Sequence, residues 1–288
     1  MRNRIVAVLG ATLVAVLALV AVPAPAFAAN EIYEYAAMTQ GGWGSGSLPA
    51  ATKLSANLDV DTPYVDTWNT PQDHSLVQLE LHRTDTVGGV THNQRVEVGW
   101  CVNCHSNGES SARLFTSAWV DDTWLGYGYS GGSGFVATCP VTPCTANDAV
   151  LVAGGGTRLT SQPFVIEHMT SGGNTGWWVG FGGKYFGYWP DSLWAGALNT
   201  FQTGTEVQVF AESMTNQWNT GGSCSDFFDG TDASLVSDTV GAFAGSTTVN
   251  GSSAGVSMSI INTKPAAYKA KLITGSVRSM RFTGDGDC

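Results

Sequence analysis

Charged residues are scarce in this sequence of 288 residues. Asp, Glu, Lys and Arg make up only 12% of it, and its 13 basic residues are outnumbered by 23 acidic ones, for a formal net charge of -10. Because no basic cluster is present to neutralise phosphates, nucleic acid is not an expected partner. Since 43% of the residues are hydrophobic, the sequence predicts a folded core and excludes a disordered polyelectrolyte.

Common catalytic and cofactor-binding motifs are also missing. The sequence has no His-Glu-x-x-His, and its five histidines are dispersed, so no metal site is expected. It has no P-loop and no dinucleotide-binding fingerprint, so no cofactor is expected. Residues 128–132 match the Gly-x-Ser-x-Gly nucleophile motif. That motif requires a following helix, which the sequence does not predict, so we interpret these residues as a glycine-rich loop.

The N-terminus has the organisation of a signal peptide. Arg2 and Arg4 precede an apolar run over residues 5–22, and Ala26-Phe27-Ala28 has the small-x-small form of a cleavage site. The run approaches the length of a membrane span, so a membrane anchor is the alternative, but the cleavage site favours export. We therefore predict that residues 1–28 are removed and that the protein is secreted. No membrane contact in the mature form and no obligate protein partner are expected.

Six cysteines follow the predicted cleavage site, and an even number indicates disulfides in an oxidising compartment. Several pairings are open, and the spacing favours Cys139 with Cys144, which leaves Cys224 to pair with Cys288 and Cys101 with Cys104 as the remainder. The last pair also belongs to Cys101-Val102-Asn103-Cys104-His105, which matches the Cys-x-x-Cys-His pattern of haem attachment. We favour the disulfide, because the preceding residues are predicted to form a strand and no second haem ligand is evident.

Alternation of apolar and polar residues is the dominant pattern, and helical periodicity is nearly absent. In residues 76–82, Val77, Leu79 and Leu81 fall on one face of a strand and polar residues on the other. Many short strands of this kind, separated by glycine-rich turns, predict an all-β fold, an antiparallel sandwich or barrel. The further predicted strands are 95–100, 113–120, 134–138, 149–153, 162–169, 176–181, 184–188, 205–212 and 256–262, with one short helix near 190–198.

Two regions have weaker periodicity. Residues 29–71 are rich in Ala, Gly, Ser and Thr, and we interpret them as an N-terminal leader, a short propeptide or an edge segment. Residues 215–255 are rich in Gly, Ser, Thr and Asn and are predicted to carry long surface loops. The expected organisation is a signal peptide at 1–28, this leader at 29–71 and a β-sandwich domain at 72–288.

Carboxylates are the remaining candidates for catalysis. Glu97 lies between Val96 and Val98, and Glu206 precedes Val207, so in each strand the valines face one way and the glutamate the other. The simpler alternative is a solvated glutamate on an outer strand. Two carboxylates that face one another in a cleft do not both ionise cheaply, so one keeps a proton and the pair can serve as base and acid.

A series of motifs in a specific order resembles the neprosin family of glutamic peptidases. They are Glu97-Val98-Gly99-Trp100, Arg113-Leu114-Phe115 with Trp119, Gly134-Phe135-Val136, Gly176-Trp177-Trp178-Val179, Gly187-Tyr188-Trp189-Pro190 and Gly204-Thr205-Glu206-Val207. The resemblance extends from residue 72 to the C-terminus, and the Gly-Trp-Trp and Gly-Tyr-Trp-Pro motifs are its most specific part. The chain departs from the family at Thr203-Gly204-Thr205-Glu206, where members commonly have Trp-Gly-Gly-Glu, and in its Cys101, Cys104 pair.

The resemblance implies an antiparallel β-sandwich and a secreted endopeptidase, active in acid, that cuts polypeptides on the carboxyl side of proline. It places the two catalytic glutamates at Glu97 and Glu206, which would activate a water without a metal or a covalent intermediate. The disulfides Cys139–Cys144 and Cys224–Cys288 are similar in placement to those of the family. Residues 29–71 are too few for the large inhibitory domain of plant members, which indicates a bacterial-type secreted member.

Aromatic residues offer a possible substrate groove and also an alternative function. Trp177, Trp178, Tyr188 and Trp189 are predicted to bind substrate, although alternation places Trp177 and Trp178 on opposite faces, so one of them is expected in the core. In the alternative function, the protein is a noncatalytic β-sandwich module whose rings bind carbohydrate or a cell-wall polymer. Glu80, on a polar strand face but outside the matched motifs, is expected to be dispensable for cleavage.

Overall fold

The fold is known from a computed structural model that describes residues 32–40, 48, 50–65, 73–104, 108–127, 134–138, 149–196, 201–215, 226, 236–237, 241–262 and 268–284. These residues form sixteen strands and one 3-10 helix, Asp191–Trp194. None of the helical structure in this described part is long and apolar enough to cross a membrane. The predicted signal peptide at 1–28 lies outside the described residues.

The strands have the following bounds, in chain order: β1 (Ile32–Gln40), β2 (Lys53–Val60), β3 (His74–Val87), β4 (Val90–Val102), β5 (Ala112–Val120), β6 (Thr123–Tyr127), β7 (Val136–Ala137), β8 (Val150–Val152), β9 (Leu159–Ser171), β10 (Asn174–Phe181), β11 (Lys184–Pro190), β12 (Glu206–Thr215), β13 (Ala242–Val249), β14 (Ser259–Asn262), β15 (Tyr268–Leu272) and β16 (Met280–Gly284).

The strands form two antiparallel sheets packed face to face, which confirms the predicted all-β sandwich. The front sheet has the order β14-β1-β12-β3-β4-β5-β6, with β8 also paired to β5. The back sheet has the order β15-β16-β13-β2-β9-β10-β11-β7. Every strand pair in both sheets is antiparallel.

The core lies between the two sheets and follows the alternation in the sequence. From the front sheet, Leu79, Val98 and Trp100 are fully buried, and the back sheet contributes Ile166 and Trp177 to the same cluster. Each such side chain stabilises the fold by about 1.5–3 kcal/mol relative to an exposed one. Because neighbouring residues of a strand point to opposite faces, the polar residues of β3 and β4 are directed to the outer face of the front sheet.

Most strands predicted from alternation are present, and the short helix near 190–198 is a single 3-10 turn at Asp191–Trp194. Strands β1, β2, β6, β13, β15 and β16 were not predicted. The prediction of surface loops over 215–255 is wrong for its last part, because β13 occupies Ala242–Val249 and buries Ala242 and Ala244 completely. Short side chains such as alanine make the alternation of β13 hard to read in the sequence.

The segment 29–71 contains two interior strands rather than an edge segment. β1 lies between β14 and β12 in the front sheet, and β2 lies between β13 and β9 in the back sheet. Met38, Leu54 and Leu58 from these strands are fully buried in the core. The described part of this segment is therefore built into both sheets.

A disulfide joins Cys101 at the end of β4 to Cys104. It confirms the third predicted pair, and it occupies both sulfurs that haem attachment would use, so the haem alternative is wrong. Cys139, Cys144, Cys224 and Cys288 lie outside the described residues, and their pairing stays a prediction. The glycine-rich loop at 128–132 lies outside them as well.

Asp59, at the end of β2, is expected to be important for stability. Its side chain is 2% exposed, accepts hydrogen bonds from Arg158 (2.8 Å) and from the backbone N–H groups of Ser161 (2.7 Å) and Phe243 (2.9 Å), and lies 3.7 Å from Arg281. Asp59→Ala leaves two arginines without their carboxylate, and breaking a buried pair in this way costs about 3–5 kcal/mol. Urea unfolding should measure this loss.

The control for Asp59→Ala is a variant that removes an exposed charge. Lys184→Ala, at the exposed start of β11, should change the free energy of unfolding by no more than about 0.5 kcal/mol. Equal stability of the Asp59→Ala and Lys184→Ala proteins would show that the Asp59 cluster does not hold the back sheet together.

Candidate active site

Cross-strand pairing brings polar side chains into two adjacent rows on the outer face of the front sheet. The pairing of β12, β3, β4 and β5 sets both rows. The first row is Gln208, Glu80, Glu97 and Ser117, and the second is Glu206, His82, Arg95 and Trp119. Directly opposed side chains in such rows have Cβ atoms about 4.5–5.5 Å apart. The rows therefore gather three glutamates and a histidine on one small area of the sheet.

All residues of the two rows except Glu206 line a cavity of about 480 Å³, and Glu206 lies next to it, beside His82. Its floor is apolar, because Tyr35, Ala37, Leu76, Phe115 and Phe210 lie on the same outer face of the sheet. The remaining lining residues are His74, Gln78, Glu80, His82, Arg95, Glu97, Ser117, Trp119, Trp124, Gln208 and Glu212. A cavity with an apolar floor and a few convergent polar groups is typical of a ligand site.

Glu97 is buried at 8% exposure, and its carboxylate accepts a hydrogen bond from the hydroxyl of Ser117. Burial, together with the nearby charge of Glu80, raises the pKa of Glu97 to about 8, against the opposing effects of Ser117 and Arg95. Glu97 therefore keeps its proton through the acidic and neutral range, as a general acid must.

Glu206 has a different environment at the start of β12. Its Oε2 lies 3.4 Å from His82 Nδ1, and its Oε1 accepts a hydrogen bond from the Thr84 hydroxyl at 3.3 Å. Partial burial alone would raise the pKa of Glu206, but the contact and charge of His82, aided by Thr84 and Arg95, outweigh it and lower the pKa. Glu206 is therefore ionised where Glu97 is protonated.

His82 is held in a fixed orientation between these groups. Its Nε2 lies 2.9 Å from Asn93 Oδ1, and the Asn93 amide nitrogen donates to Asp122 at 2.5 Å, so the oxygen of the amide faces the ring. Nε2 therefore carries a hydrogen, and Nδ1 faces the carboxylates. Burial alone would lower the pKa of His82, but the contact with Glu206 and the charge of Glu80 raise it, which favours the imidazolium.

Glu80 lies within this site, although the motifs place it outside and its dispensability for cleavage stays a prediction. Its side chain is only 2% exposed and lies directly opposite Glu97, with Oε1 3.4 Å from His82 Nδ1 and Oε2 3.6 Å from Arg95. The motifs give no reason to connect Glu80 with Glu97. The signal that connects them is the turn Val87-Gly88-Gly89-Val90, because a two-residue glycine hairpin sets the register in which residues 80 and 97 are opposite each other.

The glycine of the Glu97-Val98-Gly99-Trp100 motif has a steric reason. A Cβ at Gly99 would lie 2.1 Å from the carbonyl oxygen of Val77, on the neighbouring strand β3. Any side chain there would push β3 and β4 apart at the floor of the cavity. Trp100, on the opposite face, donates a hydrogen bond to the backbone oxygen of Asp59 in the back sheet at 2.8 Å. The motif thus fixes Glu97 relative to both sheets.

The four aromatic residues predicted to bind substrate do not line this cavity. Trp177 and Trp189 are fully buried in the core between the sheets. Trp178 and Tyr188 stack on each other on the outer face of the back sheet, and they are only 6% and 7% exposed. The alternation of Trp177 and Trp178 was interpreted correctly, but the outward-facing ring points away from the glutamates.

Other aromatic residues take that place, and the sequence motifs do not indicate them as ligand contacts. Tyr35, Phe115 and Phe210 form the floor, Trp119 ends the second row under the guanidinium of Arg95, and Trp124 lies beside Trp119. Trp119 lies two residues beyond Ser117 on the same face of β5, so alternation could have grouped these two. Tyr35 and Phe210 reach the floor through pairing between distant parts of the chain, which alternation does not predict.

Comparison with known proteins gives one family. The family model described as Neprosin matches residues 71–272, which is more than half of the chain and includes both glutamates. No curated protein matches the sequence.

Proposed function

This chain belongs to the neprosin family, which is associated with peptidase activity, and we propose that it is a secreted, bacterial-type glutamic endopeptidase. In this proposal Glu206 is the general base and Glu97 the general acid. The observation that carries it is the opposite displacement of their pKa values on one open sheet face. Titratable groups whose environments push their pKa values apart are the expected arrangement for acid and base roles.

The two glutamates lie on strands that are not neighbours. β3 lies between β12 and β4, so the strands that carry Glu206 and Glu97 are separated by about 9.5 Å, twice the usual spacing of neighbouring strands. His82 and Glu80 of β3 stand between the two glutamates, which therefore do not share a proton directly. In this proposal the water and the peptide carbonyl bind over these side chains, in the cavity on the outer face of the sheet.

The proposed reaction needs no group beyond the chain and water. Glu206 takes a proton from the water, the water oxygen attacks the carbonyl carbon, and Glu97 donates its proton to the developing oxyanion. As the tetrahedral species collapses, Glu206 gives its proton to the leaving nitrogen and a hydroxyl of that species returns a proton to Glu97, which restores both glutamates. Glu97 is well placed for a neutral donor because burial disfavours its charged form.

The proposed substrate is an extended polypeptide cut on the carboxyl side of proline. The floor formed by Tyr35, Phe115 and Phe210 supports this choice, since flat rings pack well on a pyrrolidine ring. The proposal of secretion is supported by the signal-peptide pattern of residues 1–28.

Peptide cleavage by the purified mature protein is the direct test. A library of proline-containing peptides, incubated between pH 3 and 8 and analysed by mass spectrometry, should give products that end in proline. Metal chelators and serine-directed inhibitors should leave the rate unchanged. Absence of cleavage of any peptide would reject the proposal and favour the binding-module alternative.

The pH dependence of cleavage should separate the roles of the two glutamates. Because His82 lowers the pKa of Glu206, kcat/KM should fall only below the ordinary glutamate value of 4.5, where the base becomes protonated. On the alkaline side kcat/KM should fall near pH 8, where Glu97 loses its proton. Initial rates with one peptide over this range measure both limbs, and an optimum confined below pH 4 would contradict the assignment.

A further inference from the structure

One glutamine interrupts the aromatic floor of the cavity. Strand pairing across β12, β3, β4 and β5 places four residues in one row, Phe210, Gln78, Gly99 and Phe115. Gln78 therefore projects from the outer face of the front sheet between the two phenylalanines, and it lines the cavity with them. Because Gly99 has no side chain, the row has an opening between Gln78 and Phe115.

The side-chain oxygen of Gln78 has no hydrogen-bond partner within the described part of the chain. The residue is only 3% exposed, and its Oε1 is buried. Buried polar groups of proteins are nearly always hydrogen-bonded, because an unmade bond leaves the cost of desolvation uncompensated. The last side-chain torsion of glutamine is soft, so the amide can turn its oxygen and its nitrogen to the cavity. A ligand with one donor and one acceptor would satisfy this amide.

The row of Gln78 lies at a defined distance from the proposed general acid. Gln78 precedes Glu80 by two residues on β3, and Gly99 follows Glu97 by two residues on β4, so the two rows are about 6–7 Å apart. An extended peptide that lies along these strands has the same two-residue repeat. When its leaving nitrogen is at the row of Glu97, the backbone nitrogen two residues earlier is at the row of Gln78. For cleavage after proline, that nitrogen belongs to the residue before the proline.

The residue before a proline is well suited to pair with an amide side chain. Proline itself has no N–H and therefore offers no backbone donor. The preceding residue has both an N–H and a C=O, which point to the same side of an extended chain. Its backbone is also restricted to extended conformations by the proline ring, so little ordering is needed when it binds. The oxygen of Gln78 matches the N–H, and its NH₂ group matches the C=O.

We propose that Gln78 binds the backbone N–H and C=O of the residue that precedes the substrate proline, and thereby sets the position of the peptide relative to the two glutamates. This inference rests on the proposed function. The proline ring then lies over Gly99, between Gln78 and Phe115, with its carbonyl group toward Glu97. Because the recognised atoms belong to the backbone, the contact is independent of the side chain before the proline.

A peptide that lacks this N–H tests the contact. In the ester analogue, an oxygen replaces the backbone N–H of the residue before the proline, which keeps the shape of the peptide but removes the donor. Both peptides are compared by kcat/KM at one pH, and the products are identified by mass so that only cleavage after proline is counted. The parent protein should prefer the amide peptide about 10-fold, the usual contribution of one hydrogen bond.

Gln78→Leu should abolish this preference, because leucine has a similar size but no polar group. Its kcat/KM for the amide peptide should fall about 10-fold, and the two peptides should be cut at similar rates. Its melting temperature should equal or exceed that of the parent, since the substitution removes an unpartnered buried oxygen. Gln162→Leu, on β9 of the back sheet and outside the cavity, is the matched control and should keep the preference of the parent.

The outcomes separate this contact from the proposed function. No cleavage of either peptide by the parent protein would overturn the proposed function itself. If the parent cuts both peptides equally fast, the contact with Gln78 is wrong, whether or not Gln78→Leu folds. Gln78→Leu protein that still prefers the amide peptide 10-fold would also overturn the proposal, because another group would then bind the N–H.

Discussion

Glu97→Gln and Glu206→Gln should each lower kcat for peptide cleavage by about 10² to 10⁴-fold, because each removes one proton-transfer partner. Glutamine keeps the size and most of the hydrogen bonding of glutamate, so the fold should remain. Steady-state cleavage of one proline-containing peptide measures the loss. It should persist at every pH, because an amide does not titrate in place of either carboxyl group.

The matched control is Glu167→Gln, the same substitution on the other sheet. Glu167 pairs with Lys53 and accepts a hydrogen bond from Tyr185, and it lies outside the cavity. Its variant should cleave at the parent rate. Full activity in both Glu97→Gln and Glu206→Gln would exclude the two glutamates as acid and base and favour the binding-module alternative.

Glu97→Gln should also change how the stability of the protein depends on pH. An unfolded chain releases the proton of this glutamate near its ordinary value of 4.5, whereas the folded protein keeps it until about pH 8. Between these values the folded state binds more protons, so the free energy of unfolding falls by up to about 1.4 kcal/mol for each unit of rising pH. Glu97→Gln removes this loss, so its melting temperature should exceed that of the parent at pH 7 and match it near pH 4.

This pattern would distinguish a catalytic acid from a structural residue. A buried glutamate kept for stability should destabilise the protein when it is replaced, whereas a strained catalytic group should stabilise it. Loss of activity together with a lower melting temperature at pH 7 would therefore contradict the role given to Glu97.

The sequence predicts which face of a strand each site residue occupies better than it predicts which strands pair. Alternation around Glu97 and Glu206 predicts that both side chains point away from the core, because the neighbouring valines Val96, Val98 and Val207 must be buried. The opposition of Glu80 and Glu97 was also readable, since Gly88 and Gly89 have the positive φ angles of a tight two-residue hairpin turn. The pairing of β12 with β3, which brings Glu206 beside His82, joins segments more than a hundred residues apart, and no local pattern specifies it.

Because strand pairing is not readable from the sequence, the wrong aromatic residues were predicted to line the cavity. Trp177 and Trp178 stand in a conspicuous motif, but a motif does not tell which of two sheets a strand joins. β10 joins the back sheet, so neither ring can meet Glu97 across the core. Tyr35 contributes to the cavity because β1 pairs with β12. The first strand therefore completes a site whose chemistry lies far along the sequence.

A chain that begins at Gln72, without β1 and β2, should fail to fold. Both strands are interior, so their loss leaves unpaired edges on β12, β14, β9 and β13. It also removes fully buried side chains, among them Met38, Leu54 and Leu58, each contributing about 1.5–3 kcal/mol. Their sum approaches the whole stability of an ordinary domain, about 5–15 kcal/mol.

Expression of matched chains that begin at Ala29 and at Gln72 measures this effect. The longer protein should unfold cooperatively in urea and cleave peptide, and the shorter one should be insoluble or lack a cooperative transition. Since β1 also supplies Tyr35 and Ala37 to the cavity, the active protein should retain the segment 29–71, and its N-terminal sequence should begin near Ala29. A folded, active protein that begins at Gln72 would show instead that this segment is a removable propeptide.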